Sequence, residues 1–209
     1  MEISFSYSIP PKPSALPGLE HLSGRFMYAI LFWNHAETTL KQIVQLLLGQ
    51  SQISMSVASE MGNRSIVQAI QVGSKVPELE HLAEHLRHIC EGFTRLLGYR
   101  NFYVHGIYAI EQVDGLAAIR ILSVKGDGSF KMFNPIVTAN DIDEFQGHVH
   151  KLIGYGVAIQ KALGADGDGL EAMVERYEAS LEKPEWPKPL KKVPLNLQGL
   201  VNQPLSSET

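Results

Sequence analysis

The chain of 209 residues is poor in cysteine: Cys90 stands alone. A single cysteine allows no internal disulfide and no cysteine-based zinc site, and it points to a reducing compartment. Long hydrophobic runs are missing too. The longest, Phe26 to Trp33, has eight residues, far short of the ~20 that a membrane-spanning helix needs. At the start, Glu2 and four prolines (Pro10, Pro11, Pro13, Pro17) stand where a signal peptide needs an unbroken apolar stretch. The expectation is a cytoplasmic protein with no membrane contact.

Proline is scarce through the middle of the chain: nine of the eleven lie before residue 18 or after residue 183. That pattern predicts a continuous folded unit at 19–182 between irregular arms at 1–18 and 183–209. An excess of basic charge is also absent, with 18 basic against 22 acidic residues and a formal net charge of −4. Residues 99–182 alone hold seven basic and twelve acidic side chains. Coating a nucleic acid by bulk charge is thereby excluded, so any contact with a polyanion has to be local. Hydrophobic residues at 44% and charged residues at 19% exclude disorder for the bulk of the chain and suffice for one packed domain.

Several chemical motifs are lacking as well. There is no Gly-x-x-x-x-Gly-Lys phosphate loop and no serine or threonine nucleophile motif. Asp166-Gly-Asp168-Gly starts like a calcium loop, but Leu170 and Tyr177 occupy its fifth and twelfth positions, where oxygen ligands are required. It reads as a turn leading into a helix.

What is present is helical periodicity. Phe26, Ile30, Trp33, Glu37, Leu40, Val44 and Leu47 recur in steps of three and four, with Gly49 as a stop. A second such helix spans Pro77 to Leu97, with Leu79, Leu82, Leu86, Ile89, Phe93 and Leu96 on its stripe. Pro77, Glu78 and Glu80 suit its first turn. The third carries Ile142, Phe145, Val149, Leu152, Gly156, Ile159 and Leu163, capped by Thr138 or Asn140. A weaker helix or broken pair covers Gln52 to Val72 with Gly62-Asn63 as the break, and a short helix runs from Leu170 to Leu181.

In between, the period drops to two. Asp114-Gly115 and Gly126-Asp127-Gly128 are turn signals flanking Leu116–Val124 and Ser129–Phe133, a hairpin of two or three strands. The predicted fold is mainly α: a four- to five-helix bundle with a small β-hairpin inserted at about 107–134, after the helix of 77–97. The proline-rich arm from Lys183 carries Trp186, Leu190, Val193, Leu195, Leu197 and Leu200. So many apolar groups are expected to pack on the domain or on a neighbouring subunit.

Two charges interrupt the apolar stripes. Glu37 is the one charged residue on the first stripe, and a buried carboxylate needs a cationic or hydrogen-bonding partner. Extending the second stripe lands on Arg100 and Tyr103, which makes Arg100 a natural partner for Glu37. A buried ion pair that only fixes helix register is the bland alternative.

Residues 99–106 read Tyr-Arg-Asn-Phe-Tyr-Val-His-Gly. Asn101 and His105 lie within ~40° on a regular helix, whereas Arg100 and His105 are ~140° apart. A π-bulge or a symmetric dimer would bring the latter two together. Histidine exchanges protons near neutral pH, and arginine holds phosphate and stabilises charge developing on it. On RNA, the neighbouring 2′-hydroxyl can serve as nucleophile, so the protein need supply only those two functions.

On these residues the chain resembles the HEPN superfamily (higher eukaryotes and prokaryotes nucleotide-binding). Helical bundles of this family are marked by an arginine, a polar residue and, after four to six residues, a histidine: here Arg100, Asn101 and His105. The resemblance covers roughly residues 20–180, and only 99–106 are motif-like. It implies a homodimer with motifs facing across the interface, and metal-independent endoribonuclease activity of a toxin or of a defence or RNA-processing protein. Some relatives pair with a nucleotidyltransferase-type antitoxin.

In this reading Arg100 binds phosphate, His105 is the general acid/base, Asn101 orients one of them, and Glu37 positions Arg100. Tyr103 and Tyr99 line the cleft. Neither a metal nor a cofactor is required. The competing reading is a catalytically silent, dimeric binding or regulatory module whose motif merely stabilises the interface; the bland reading of His105 alone is a core histidine hydrogen-bonded across the bundle.

Other clusters are weaker. His81, Glu84, His85 and His88 share a helix face at metal-ligand spacing, but that face lies off the apolar stripe and is expected to be solvated. His148 and His150, two apart, cannot share a metal on a helix. Gly147, Gly154 and Gly156 are expected to permit close helix packing.

Overall fold

The computed structural model describes residues 18–105, 107–124 and 130–190. The expected N-terminal arm up to residue 17 and the tail from 191 onward lie outside the described residues. The helices are α1 (Leu19–Leu47), α2 (Gln52–Glu60), α3 (Asn63–Gly73), α4 (Ala83–His105), α5 (Ala139–Ala162) and α6 (Asp168–Arg176). A 3-10 segment, Pro77–Leu82, leads into α4, and the strands β1 (Ile107–Val113), β2 (Leu116–Val124) and β3 (Phe130–Val137) lie between α4 and α5. The protein is mainly helical, as its periodicity predicts.

Local chemistry sets the boundaries. Gly49 takes a left-handed φ of 91° just past α1, a conformation glycine adopts without steric penalty. Ser51 and Ser54 form a reciprocal capping box at the start of α2, and Thr138 and Asp141 form another at α5. Between α2 and α3, Met61 and Gly62 are extended, so the broken pair is two helices. Pro77 opens a 3-10 turn rather than α4 itself. The short last helix begins and ends earlier than its apolar pattern suggests, at Asp168 and Arg176.

Asp114 and Gly115 have φ of 51° and 79°, the pair of positive values that a two-residue hairpin turn requires. The turn pairs Val113 with Leu116 and makes β1 and β2 antiparallel; β2 pairs with β3 on its other side. The insertion is thus a three-stranded meander, ending at Val137 rather than near residue 134. Ala118 and Ile121 of β2 are buried, and the sheet rests on α1 and α4 through that strand.

The core lies where α1 and α4 pack on α5. Trp33 is fully buried, its ring 5.0 Å from Phe93 of α4 and 6.4 Å from Phe145 of α5. Close helix approach depends on two glycines of α5. A Cβ at Gly156 would meet Thr39 Cγ2 of α1 at 2.5 Å, and one at Gly154 would meet the Tyr177 carbonyl at 2.5 Å. Gly147 has open space around it, so the packing role expected there does not apply. Gln160 donates to the Thr39 carbonyl at 2.9 Å, bonding the buried backbone of α1 to α5.

Cys90 is buried in α4 and its thiol donates to the Val67 carbonyl at 3.7 Å. Burial pushes the thiol up to about 12, so little thiolate forms near neutrality. Disulfide-exchange reagents at pH 8 should leave the native protein unlabelled and label it once in denaturant. Rapid full labelling of the native protein would contradict this burial.

The first part of the C-terminal arm, residues 183–190, lies along α4 on the protein's own domain. Lys183 pairs with Glu84 at 2.6 Å and, chiefly through that hydrogen bond, holds its carboxyl below the usual range. His88 Nε2 contacts the Pro184 carbonyl at 2.9 Å, and Trp186 Nε1 donates to the His88 carbonyl at 3.1 Å. Arg95 donates to the Pro187 carbonyl at 3.1 Å, and the Tyr99 hydroxyl to that of Lys188 at 2.8 Å. Of the face carrying His81, Glu84, His85 and His88, the first two are exposed as expected, whereas His85 and His88 are half-buried, His85 against Tyr155 and His88 under the arm. Backbone carbonyls of a proline-rich segment have no partners within their own chain stretch, and this helix face supplies them.

Gly92 makes room for the arm: a Cβ there would lie 2.3 Å from the Trp186 ring. In the variant Gly92→Val the arm should leave α4, although the substitution relieves the helix of a glycine. Because the chain has only two tryptophans and Trp33 is fully buried, a red shift in emission reports on Trp186. Unchanged emission would show that the arm is not seated against Gly92.

Candidate active site

Helix α4 carries the motif on its last two turns and hands the chain directly to β1. The helix stays α-helical through His105, so the π-bulge considered from the sequence is not there. A long arginine side chain covers the angular gap instead. Arg100 Nη1 lies 3.4 Å from His105 Nε2 and donates to Asn101 Oδ1 at 3.2 Å. One chain thus brings guanidinium and imidazole together without a second copy.

His105 and Asn101 are exposed, and Arg100 is half-buried. His105 is consequently not a core histidine bonded across the bundle. The buried part of Arg100 is its Nε, which has no hydrogen-bond partner; its terminal nitrogen reaches the exposed pair. Arginine has no lone pair to offer, so the contact uses Nε2 of His105 as acceptor. That is the form of the ring able to take a proton, although at 3.4 Å the bond is long and weak.

Two supporting residues have other roles than expected. Glu37 is half-buried and accepts from Trp33 Nε1 at 2.8 Å, one turn back on α1. Among the described residues it forms no ion pair with Arg100. The indole N–H supplies the donor that the carboxylate needs, and the bond fixes the ring that fills the core. Tyr103 is buried against Phe145, with ring centroids 5.2 Å apart, and against Phe26 at 5.8 Å. Tyr99 and Tyr103 line a cavity of about 210 Å³ on the α5 side of α4, and neither Arg100 nor His105 borders it. The tyrosines therefore do not form a cleft with the motif.

Two other histidines of α4 have partners away from the motif. His85 Nδ1 is 2.8 Å from the Tyr155 hydroxyl, and burial lowers its pKa. His88 stacks on Trp186 at 5.2 Å between centroids. Among the described residues no group of three or more His, Cys, Asp or Glu side chains is placed to hold a metal ion, and no helix is long and apolar enough to cross a membrane.

Sequence reasoning missed the row His88, Gly92, Arg95 and Tyr99 as the seat of the arm. Their spacing of three and four was readable, but a partner 90 residues away in an irregular segment leaves no periodic trace. No family model matches the chain, and no curated protein or solved structure matches it.

Proposed function

We propose that the protein is a metal-independent endoribonuclease of HEPN type. The observation that carries this reading is the 3.4 Å approach of Arg100 Nη1 to His105 Nε2 at the exposed end of α4. The two groups suit transesterification of RNA. Arg100 binds the scissile phosphate through its forked guanidinium, and Asn101, bonded to the same nitrogen, holds the fork in place. His105 Nε2 removes the proton of the adjacent 2′-hydroxyl as the 2′-oxygen bonds to phosphorus. The bond from phosphorus to the 5′-oxygen breaks, the imidazolium returns its proton to that oxygen, and a 2′,3′-cyclic phosphate remains. Charge growing on the phosphate oxygens is met by a cation already in place.

The reading includes a homodimer, with RNA as substrate and a nucleotidyltransferase-type antitoxin as a further partner in a toxin role. Its support is a stripe of exposed apolar side chains on α1, Met27, Tyr28 and Leu31. The stripe follows Phe26, which packs on Tyr103 of the motif helix. Exposed apolar groups clustered in this way favour a protein interface.

The test is incubation of purified protein with mixed RNA in excess chelator, beside the double variant Arg100→Ala/His105→Ala. Cleavage by the native protein and none by an equally folded variant supports the nuclease. Equal silence from both favours the binding or regulatory module.

A further inference from the structure

We propose that the cavity lined by the end of α4, the start of α5 and the C-terminal arm binds a small organic ammonium: a primary amine on a compact apolar body. It does not depend on the nuclease reading, because neither motif residue borders the cavity.

Three features of the lining define the ligand. The walls are aromatic and aliphatic, with Tyr99, Tyr103 and Phe145 on one side and Pro187 and Leu190 of the arm on the other. At about 210 Å³ the space lies below the ~300–1,000 Å³ of drug-sized sites, which limits the occupant to a small molecule. Second, among the described residues Asp141 and Glu144 are the charged side chains that border it, and no lysine or arginine does. Asp141 is partly committed to the α5 capping box, which leaves Glu144 as the main source of negative potential. Burial, reinforced by these carboxylates, pushes the hydroxyls of Tyr99 and Tyr103 up, so both keep their protons.

The third feature is His148, which also borders the cavity. Its Nε2 lies 3.8 Å from Glu144 Oε1, and its Nδ1 is buried with no hydrogen-bond partner. Burial lowers the pKa of this ring. Nδ1 has no accessible surface, so what an occupant meets at this end of the cavity is the ring itself and the Glu144 carboxylate beside it. A group that carries positive charge, donates N–H bonds to a carboxylate and sits among aromatic faces meets these requirements. An ammonium does so; a quaternary amine lacks the donor, and an anion opposes the carboxylates. Since Pro187 and Leu190 form one wall, the site is complete only with the arm docked.

The test uses isopentylamine and its neutral counterpart isopentanol on the full chain, followed by backbone amide shifts. Saturable shifts confined to the end of α4, the start of α5 and residues 183–190 are expected for the amine. The alcohol should bind roughly tenfold more weakly. The substitution Glu144→Gln, at an exposed side chain, should remove most of that preference, and Trp186→Ala, which frees the arm, should abolish binding of both. Equal binding of amine and alcohol, or no saturable shift with either, would overturn the proposal. Neither outcome bears on RNA cleavage by Arg100 and His105.

Discussion

Replacing His105 with alanine is expected to lower RNA cleavage in excess chelator by a factor of about 10²–10⁴, the usual contribution of a positioned acid/base group. The ring is exposed at the end of α4, so its removal takes little from the core and the thermal midpoint should hardly move. Arg100→Lys should cost about as much as Arg100→Ala, because an ammonium does not reproduce the two-pronged guanidinium that grips a phosphate. The double variant should lose little more than either single one, since the two groups act as a unit. A fall in rate that tracked the loss of folded protein would instead assign both residues a structural role. Cleavage kinetics and thermal melts on the same preparations separate these outcomes.

The largest effect on stability is expected at Trp33. Truncation to alanine should cost about 3–5 kcal/mol, the range for deleting a large buried aromatic group, and lower Tm by on the order of 10 °C. The ring is fully buried between Phe93 and Phe145, so the three long helices lose a shared contact at once. The same change strips the half-buried Glu37 of its 2.8 Å donor. Trp33→Phe separates the two contributions: it keeps most of the ring volume and removes the N–H, and should cost about 1–3 kcal/mol for the carboxylate left unpaired. If alanine and phenylalanine destabilise equally, the hydrogen bond rather than packing dominates. Urea unfolding of the two variants against the native protein decides the matter.

Much of the fold could be read along the chain because its signals are local. The stop at Gly49, the break before Asn63, the Thr138 cap and the Asp114-Gly115 turn each depend on a few neighbouring residues. What depended on distant partners was not legible. Glu37 has an apolar stripe around it whether its partner lies on α4 or one turn back on α1, and periodicity does not distinguish the two. Likewise, the cover that the arm lays over His88 was not legible, because that segment is irregular and lies at the far end of the domain.

At the motif, helix geometry placed the Cα positions of Arg100 and His105 well apart in angle, and it did not include the reach of a four-bond side chain. That reach brings the two groups together in one chain. The cavity beside Tyr99 and Tyr103 had no precursor in the sequence either, since its lining comes from α4, α5 and the arm.

The most direct measurement is the chemistry of the cut ends. An RNA oligonucleotide and the same oligonucleotide with a single 2′-deoxy sugar at the cleaved position are incubated with the native protein in excess chelator, and the products are weighed by mass spectrometry. Attack by the 2′-hydroxyl predicts fragments ending in a 2′,3′-cyclic phosphate and no cut at the deoxy position. Fragments with 3′-hydroxyl ends, or equal cleavage of both oligonucleotides, would contradict the roles given to Arg100 and His105.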